Sequence, residues 1–393
     1  HEVKGVLTAV PSDAAAVTAP LVIGARSRKV VHLADVVQSA YTAAMVDLEG
    51  GGVVVEHEVH GAAGTSISPC AATGSERWYV ADGSTARDDT MLLALFNPFP
   101  EDAIVDLAFS TDQGRAAPSD FQGLVVRGGQ LSVVDVGAHV RRRDRVAATV
   151  IARSGRLVVD RLQFYGGAPA GISLALAAPS LGDEWWFADG FASDAVNERF
   201  SIYNPSATEA SVSLELFVDG ESVEPFDLTI PPHDRLDLVA NDQERIPKNV
   251  GHSALIRSQN GVDVVAERAI KATGSRSGIS ATLGARTLAS RWVLASGSAT
   301  DSLDEWVSVL NPGATPVHVS LTVLAGGQPL AVEGLQDVSL GAGRHVSLRL
   351  TDHVKRDDVP LVVAATGGRV VVERAVYGVG AAGVSLSSGV PLR

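Results

Sequence analysis

Short apolar runs with a two-residue period dominate the chain, separated by Gly, Pro, Asn and Asp. Val212-Ser213-Leu214-Glu215-Leu216-Phe217-Val218 alternates as a half-buried strand does, and Asp219-Gly220 after it is a hairpin signal. Arg199 to Tyr203, Phe226 to Ile230, Leu236 to Val239, His252 to Ser258 and Val262 to Ile270 continue the pattern. The last two are expected to form a hairpin around Asn260-Gly261. About seven short strands in ~100 residues is the pattern of a sandwich domain. Helix is expected only in short pieces, around Leu33 to Ala44 and Thr351 to Arg356.

The strand pattern repeats. Trp78, Trp185 and Trp292 are spaced by 107 and 107, and so are Asn97, Asn204 and Asn311, each followed by Pro. Gly64, Gly171 and Gly278 keep the same interval. A period of this length is one small domain rather than a solenoid turn. The head of the repeat, Trp through Asn-Pro, occurs three times. Its tail occurs four times: Glu56-His57, Asp160-Arg161, Glu267-Arg268 and Glu373-Arg374, each followed by a Gly-x-Ser strand.

The expected fold class is therefore all-β: tandem immunoglobulin- or fibronectin-like β-sandwich domains, three complete and one N-terminal and partial. The boundaries fall at 1–75, 76–181, 182–289 and 290–393. A sandwich short of one or two strands leaves an unpaired edge and an open core. Short links between units predict a fixed, rod-like array.

Composition narrows the functions. Hydrophobic residues make up 46% of the chain, enough for a core in each unit, but aromatics only 5%, so aliphatic side chains must do the packing. The formal charge of −13 disfavours nucleic acid as a partner. Arg141-Arg142-Arg143 is the one basic cluster and is expected to be a solvated loop or edge. No apolar stretch reaches the ~18 residues of a membrane helix. His1-Glu2-Val3-Lys4 is no initiator sequence, so a processed or trimmed product is expected. Cys70 is the single cysteine.

Each candidate site has a bland alternative. Trp78, Trp185 and Trp292 are expected to anchor their cores, and Asn97, Asn204 and Asn311 to form turns. Trp185, Trp186 and Trp306 are candidates for carbohydrate stacking if a ring face is exposed. Asp82 and Asp189 give way to Ser296 in the third head, which fits a turn former better than a catalytic acid. Arg161, Arg268 and Arg374, inside apolar strands, must be paired, and the partner is expected in the same domain. Asp194, Glu198, Asp301 and Glu305 are weak Ca²⁺ candidates, since their spacing does not match an EF-hand. His57-Glu58-Val59-His60 is not a metalloprotease helix motif, and no nucleophile elbow, phosphate loop or dinucleotide fingerprint occurs. No cofactor, no resident metal and no enzymatic activity are expected.

Several strings carry a resemblance: Trp78-Tyr79-Val80-Ala81-Asp82-Gly83-Ser84-Thr85-Ala86-Arg87-Asp88, Leu95-Phe96-Asn97-Pro98-Phe99-Pro100, Val55-Glu56-His57-Glu58-Val59, Val250-Gly251-His252-Ser253-Ala254 and Glu333-Gly334-Leu335-Gln336-Asp337-Val338. With these the whole chain resembles an uncharacterised actinobacterial family of envelope proteins. The resemblance implies an extracytoplasmic, secreted or membrane-tethered protein without known catalysis. It also implies that Cys70 pairs with a cysteine in a head absent from this sequence. The expected function is a scaffold, spacer or protein-interaction module of the cell envelope. Its partner would be an envelope protein, or a second copy engaged through the incomplete first domain. The alternatives are a cell-wall or surface polysaccharide-binding protein and a subunit of a filament or layer built by strand complementation.

Overall fold

The computed structural model describes residues 1–392 apart from Asp219 and Gly220, so the hairpin signal at Asp219-Gly220 lies outside the described residues. Strands form nearly all of the regular structure. In Val317–Ala325 the alternation is literal: Val317, Val319, Leu321 and Val323 are buried, while His318 faces solvent. Such a period places one strand face in a core and the other outside.

Each of the second, third and fourth repeats folds into two antiparallel sheets. In the second, Leu124–Val126, Ala103–Thr111, Val146–Ser154 and Arg77–Val80 form one sheet in that order. Gln130–Asp135, Thr90–Asn97, Val158–Tyr165 and Gly171–Leu176 form the other. The head thus gives one strand to each sheet: Arg77–Val80 to the first and Thr90–Asn97 to the centre of the second. The other two complete repeats share this order, and two short strands from the C-terminal end and the Gln328–Ala331 hairpin extend the first sheet of the fourth.

The repeated residues hold the two sheets together. Trp78, Trp185 and Trp292 are buried, and each indole Nε1 donates to a carbonyl just before the tail strand: Leu157 (2.9 Å), Val264 (2.9 Å) and Val370 (3.0 Å). Asn97, Asn204 and Asn311 each donate from the end of one sheet to a carbonyl of the other, at Val126 (3.0 Å), Ile230 (3.1 Å) and Leu340 (3.2 Å). Their side-chain oxygens cap the following turn, accepting from Phe99, Ser206 and Gly313. The asparagine therefore makes its turn and joins the sheets as well.

Three expectations fail. His252–Ser258 and Val265–Ala272 are not a hairpin: each pairs within a different sheet, and the Asn260-Gly261 link carries the chain across the sandwich. The piece at Leu33 to Ala44 is a single turn, Leu33–Val36, because Thr42–Leu48 is needed as a strand beside Val3–Pro11. Thr351 to Arg356 likewise shrinks to one tight turn, Leu350–Asp352.

The repeats do not form a rod. Their closing strands, Gly64–Pro69, Gly171–Leu176, Gly278–Leu283 and Val384–Ser388, touch in succession, and the last returns to the first. One serine per repeat makes each contact. Ser66, Ser173, Ser280 and Ser385 accept from the backbone N–H of Leu174 (2.9 Å), Ala281 (3.0 Å), Leu386 (3.2 Å) and Ile67 (2.9 Å) respectively. A cavity of about 150 Å³ is lined by residues of all four strands. The array is a closed ring of four units, which the expectation of a linear array missed.

Candidate interaction site

The acidic–basic dipeptides of the tails join neighbouring repeats. Arg161, fully buried, donates to the Asp82 carbonyl of its own head loop and pairs with Glu267 of the next repeat at 2.7 Å. Glu267 in turn accepts from the backbone N–H of Ala81 at 2.8 Å. Arg268 meets Glu373 at 3.2 Å, and Glu373 accepts from the Asp189 N–H at 2.7 Å. Arg374 donates to the Ser296 carbonyl at 2.6 Å and pairs with Glu56 at 3.2 Å, while Glu56 accepts from Ser296 N–H (2.7 Å) and Oγ (2.8 Å). For Arg161 and Arg374 the loop carbonyl lies in the same repeat, as expected, and the opposite charge in a neighbouring one. Arg268 meets acids of both kinds, Asp189 (3.3 Å) and Glu198 (3.4 Å) in its own repeat and Glu373 in the next. A guanidinium this deeply buried needs both, because desolvation costs several kcal/mol per ion. Burial still pushes the Glu373 carboxyl up to about 7, although Arg268 opposes the shift.

The head-loop acids also reach across junctions rather than forming local turns. Asp82, completely buried, pairs with Arg199 (2.7 Å) and Arg235 (2.8 Å) of the third repeat. Burial alone would raise its pKa, but Arg199, Arg235 and Arg161 outweigh it and hold the carboxyl well below the usual carboxylate range. Asp189 accepts from Ser308 Oγ at 2.8 Å and lies 3.3 Å from Arg268. Ser296 is the corresponding residue at the third such junction.

The fourth junction, between the first and second repeats, is different. Its acid is Asp160 and the place of the arginine is taken by His57. Among the described residues the Asp160 side chain has no hydrogen bond or ion pair, and burial pushes it up to about 7. Burial lowers the pKa of His57. The head-loop N–H groups that meet the equivalent Glu267 have no counterpart at Asp160 among the described residues.

A cleft of about 1720 Å³ opens at this place. Among the described residues, two unpaired strand edges border it. Thr42–Leu48 pairs only with Val3–Pro11, whereas its counterpart Val146–Ser154 also carries the head strand Arg77–Val80. Glu56–Gly61 pairs only with Gly64–Pro69, whereas its counterpart Val158–Tyr165 also carries Thr90–Asn97. The fourth repeat supplies the far wall. Val293, Ala295 and Val362 are half-buried there, while Tyr79, Ala81 and Thr149 of the second repeat and Trp186, Ala188 and Leu255 of the third, at the same strand positions, are buried. What covers the second-repeat set is the next head: Tyr203 hydrogen-bonds Thr149 at 2.9 Å.

The residues expected to bind glycan or metal are placed otherwise. Trp185 and Trp186 are buried, at 0% and 6% exposure, so neither offers a ring face to a sugar. Trp306 is half-buried with the Arg276 guanidinium 5.5 Å from its ring centre. Glu198 is buried between His252 (2.6 Å) and Arg268 (3.4 Å). Glu305 is buried and accepts from the Ser298 N–H at 2.7 Å, with its carboxyl pushed up to about 7 by burial. Asp194 is exposed, and Asp301 pairs at the surface with Lys355. Among the described residues no group of three or more His, Cys, Asp or Glu is placed to hold a metal ion. Arg141 and Arg142 are exposed in a loop. Cys70 is a free thiol in the wall of the cleft. No described helix is long and apolar enough to cross a membrane.

Arg199 and Arg235 escaped the sequence reading because neither recurs in the repeat. The ring serines did recur, and that recurrence was the available signal. No curated protein matches the chain. Residues 51–229 match the model of a family described as a family of unknown function, DUF5719.

Proposed function

We propose that this chain is a non-enzymatic scaffold or protein-interaction module of the bacterial cell envelope, acting outside the cytoplasmic membrane. The observation that supports it most is the use of the buried charges. Arg161, Arg268, Arg374, Asp82, Glu267 and Glu373 are all engaged in joining one repeat to the next. The actinobacterial resemblance supports the envelope location, and immunoglobulin-like units are common in such modules. Fractionation of cells producing the whole gene product tests the reading. Recovery with the envelope, accessible to added protease in intact or wall-stripped cells, is the expected result. Recovery in the cytoplasm would overturn it.

Assembly by strand complementation is a second reading, favoured by the two open strand edges of the first repeat. Polysaccharide binding draws no support from Trp185 and Trp186, whose rings are covered.

A further inference from the structure

We propose that the cleft of the first repeat is a receptor for one kind of occupant: a two-stranded polypeptide segment of the repeats' own head class, about 20 residues from Trp to Asn-Pro. The inference rests on the protein-interaction reading and specifies the partner. Three separate features of the cleft call for the same object. The edge of Thr42–Leu48 lacks the strand that Arg77–Val80 supplies one repeat later. The edge of Glu56–Gly61 lacks the strand that Thr90–Asn97 supplies. Asp160 lacks the loop N–H groups that Ala81 and Asp82 present to Glu267. A lone extended peptide would fill one edge, and a sugar would fill neither. Only a strand, a loop and a second strand in head order meet all three. The second strand would also cover Val293 and Val362.

The register is fixed by the other repeats. A Cβ built on Gly284 would lie 2.8 Å from the Phe187 ring, and one on Gly389 would lie 3.3 Å from Trp292 and 3.4 Å from Leu294, the first and third residues counted from the head Trp, on one face of the strand. Cys70 occupies the same tail position, with the same backbone bond, from its N–H to the Val55 carbonyl. The third residue of the docked head strand therefore faces Cys70, and its neighbours point away.

The experiment titrates a labelled peptide of residues 76–98 into the intact chain. Saturable one-to-one binding is expected, with slowed amide exchange in Thr42–Leu48 and Glu56–Gly61. Asp160→Asn in the chain is expected to weaken binding about tenfold or more, because a charged acceptor is lost. Trp78→Ala in the peptide should abolish it. A peptide carrying Val80→Cys should form a disulfide with Cys70 under oxidised glutathione, and one carrying Tyr79→Cys should not. No binding by the peptide to a chain that remains folded overturns the proposal and leaves the scaffold reading standing. Equal cross-linking by both cysteine peptides, concentration-dependent dimers that protect the same edges in place of the peptide, or a polysaccharide that displaces it would each overturn it too.

Discussion

Arg374 and Glu56 stand 318 positions apart in sequence and 3.2 Å apart in space, and their contact closes the ring. It is the last of three equivalent pairs, after Arg161–Glu267 and Arg268–Glu373, and it joins the final repeat to the first. Both side chains are almost wholly buried. Removing only one partner leaves the other charge without compensation in a low-dielectric site. Arg374→Ala is therefore expected to destabilise the chain by about 3–5 kcal/mol. Replacing both with apolar groups, as in Arg374→Met with Glu56→Leu, should cost less than the sum of the single changes. Guanidinium unfolding of the four proteins in a double-mutant cycle measures this, and additive losses would show that the pair is not coupled.

The serine contacts should each matter to a smaller extent. Ser385→Ala removes the acceptor of the Ile67 N–H and leaves that buried donor unpaired, for about 1–3 kcal/mol. The amide of Ile67 should then exchange faster, while amides in the core of the third repeat keep their rates. Unchanged exchange at Ile67 would mean that another acceptor takes over.

The number of units and most strands could be read from the sequence, because strand alternation and a 107-residue spacing are local or translational signals. What a translational repeat hides is ownership. Glu267 stands in the same register as Asp160, so the sequence pattern is identical whether Arg161 pairs within its own unit or with the next one. The closed ring follows from that second choice and could not be read. The asparagines and tryptophans were legible as structural anchors because their partners lie in the same repeat. Asp82 was misjudged for the opposite reason: Arg199 and Arg235 belong to the neighbouring unit.

A ring and a rod differ in solution. A compact chain of this length has a radius of gyration of about 21 Å. Small-angle scattering should give a value close to that, with a single-peaked distance distribution. A markedly larger radius with a long tail would mean that the serine and arginine contacts do not hold the first and last repeats together.

Removing a ring face from the core separates packing from sugar binding. Trp185 is fully buried and its indole holds the Val264 carbonyl, so Trp185→Ala should cost about 3–5 kcal/mol through the cavity it leaves. A thermal unfolding scan is expected to show a large fall in midpoint. An unchanged midpoint would place the indole at the surface.

The pH dependence of stability should carry the mark of Asp160. Burial raises its carboxyl from 3.8 to about 7 in the folded chain. The folded state then holds a proton that the unfolded state releases, so the contribution is fully present below 3.8 and is lost as pH rises through 7. Glu373 and Glu305 act in the same sense between 4.5 and about 7. Asp82 has the opposite sign: its contribution is present above 3.8 and is lost only as the pH falls through its much lower folded value. Stability measured from pH 5 to pH 8 should therefore decline, and Asp160→Asn should make the decline shallower without abolishing it, since the two glutamates remain. A variant whose profile runs parallel to the parent's would show that Asp160 is already ionised at pH 5, and hence that a solvent or protein group reaches it in the cleft.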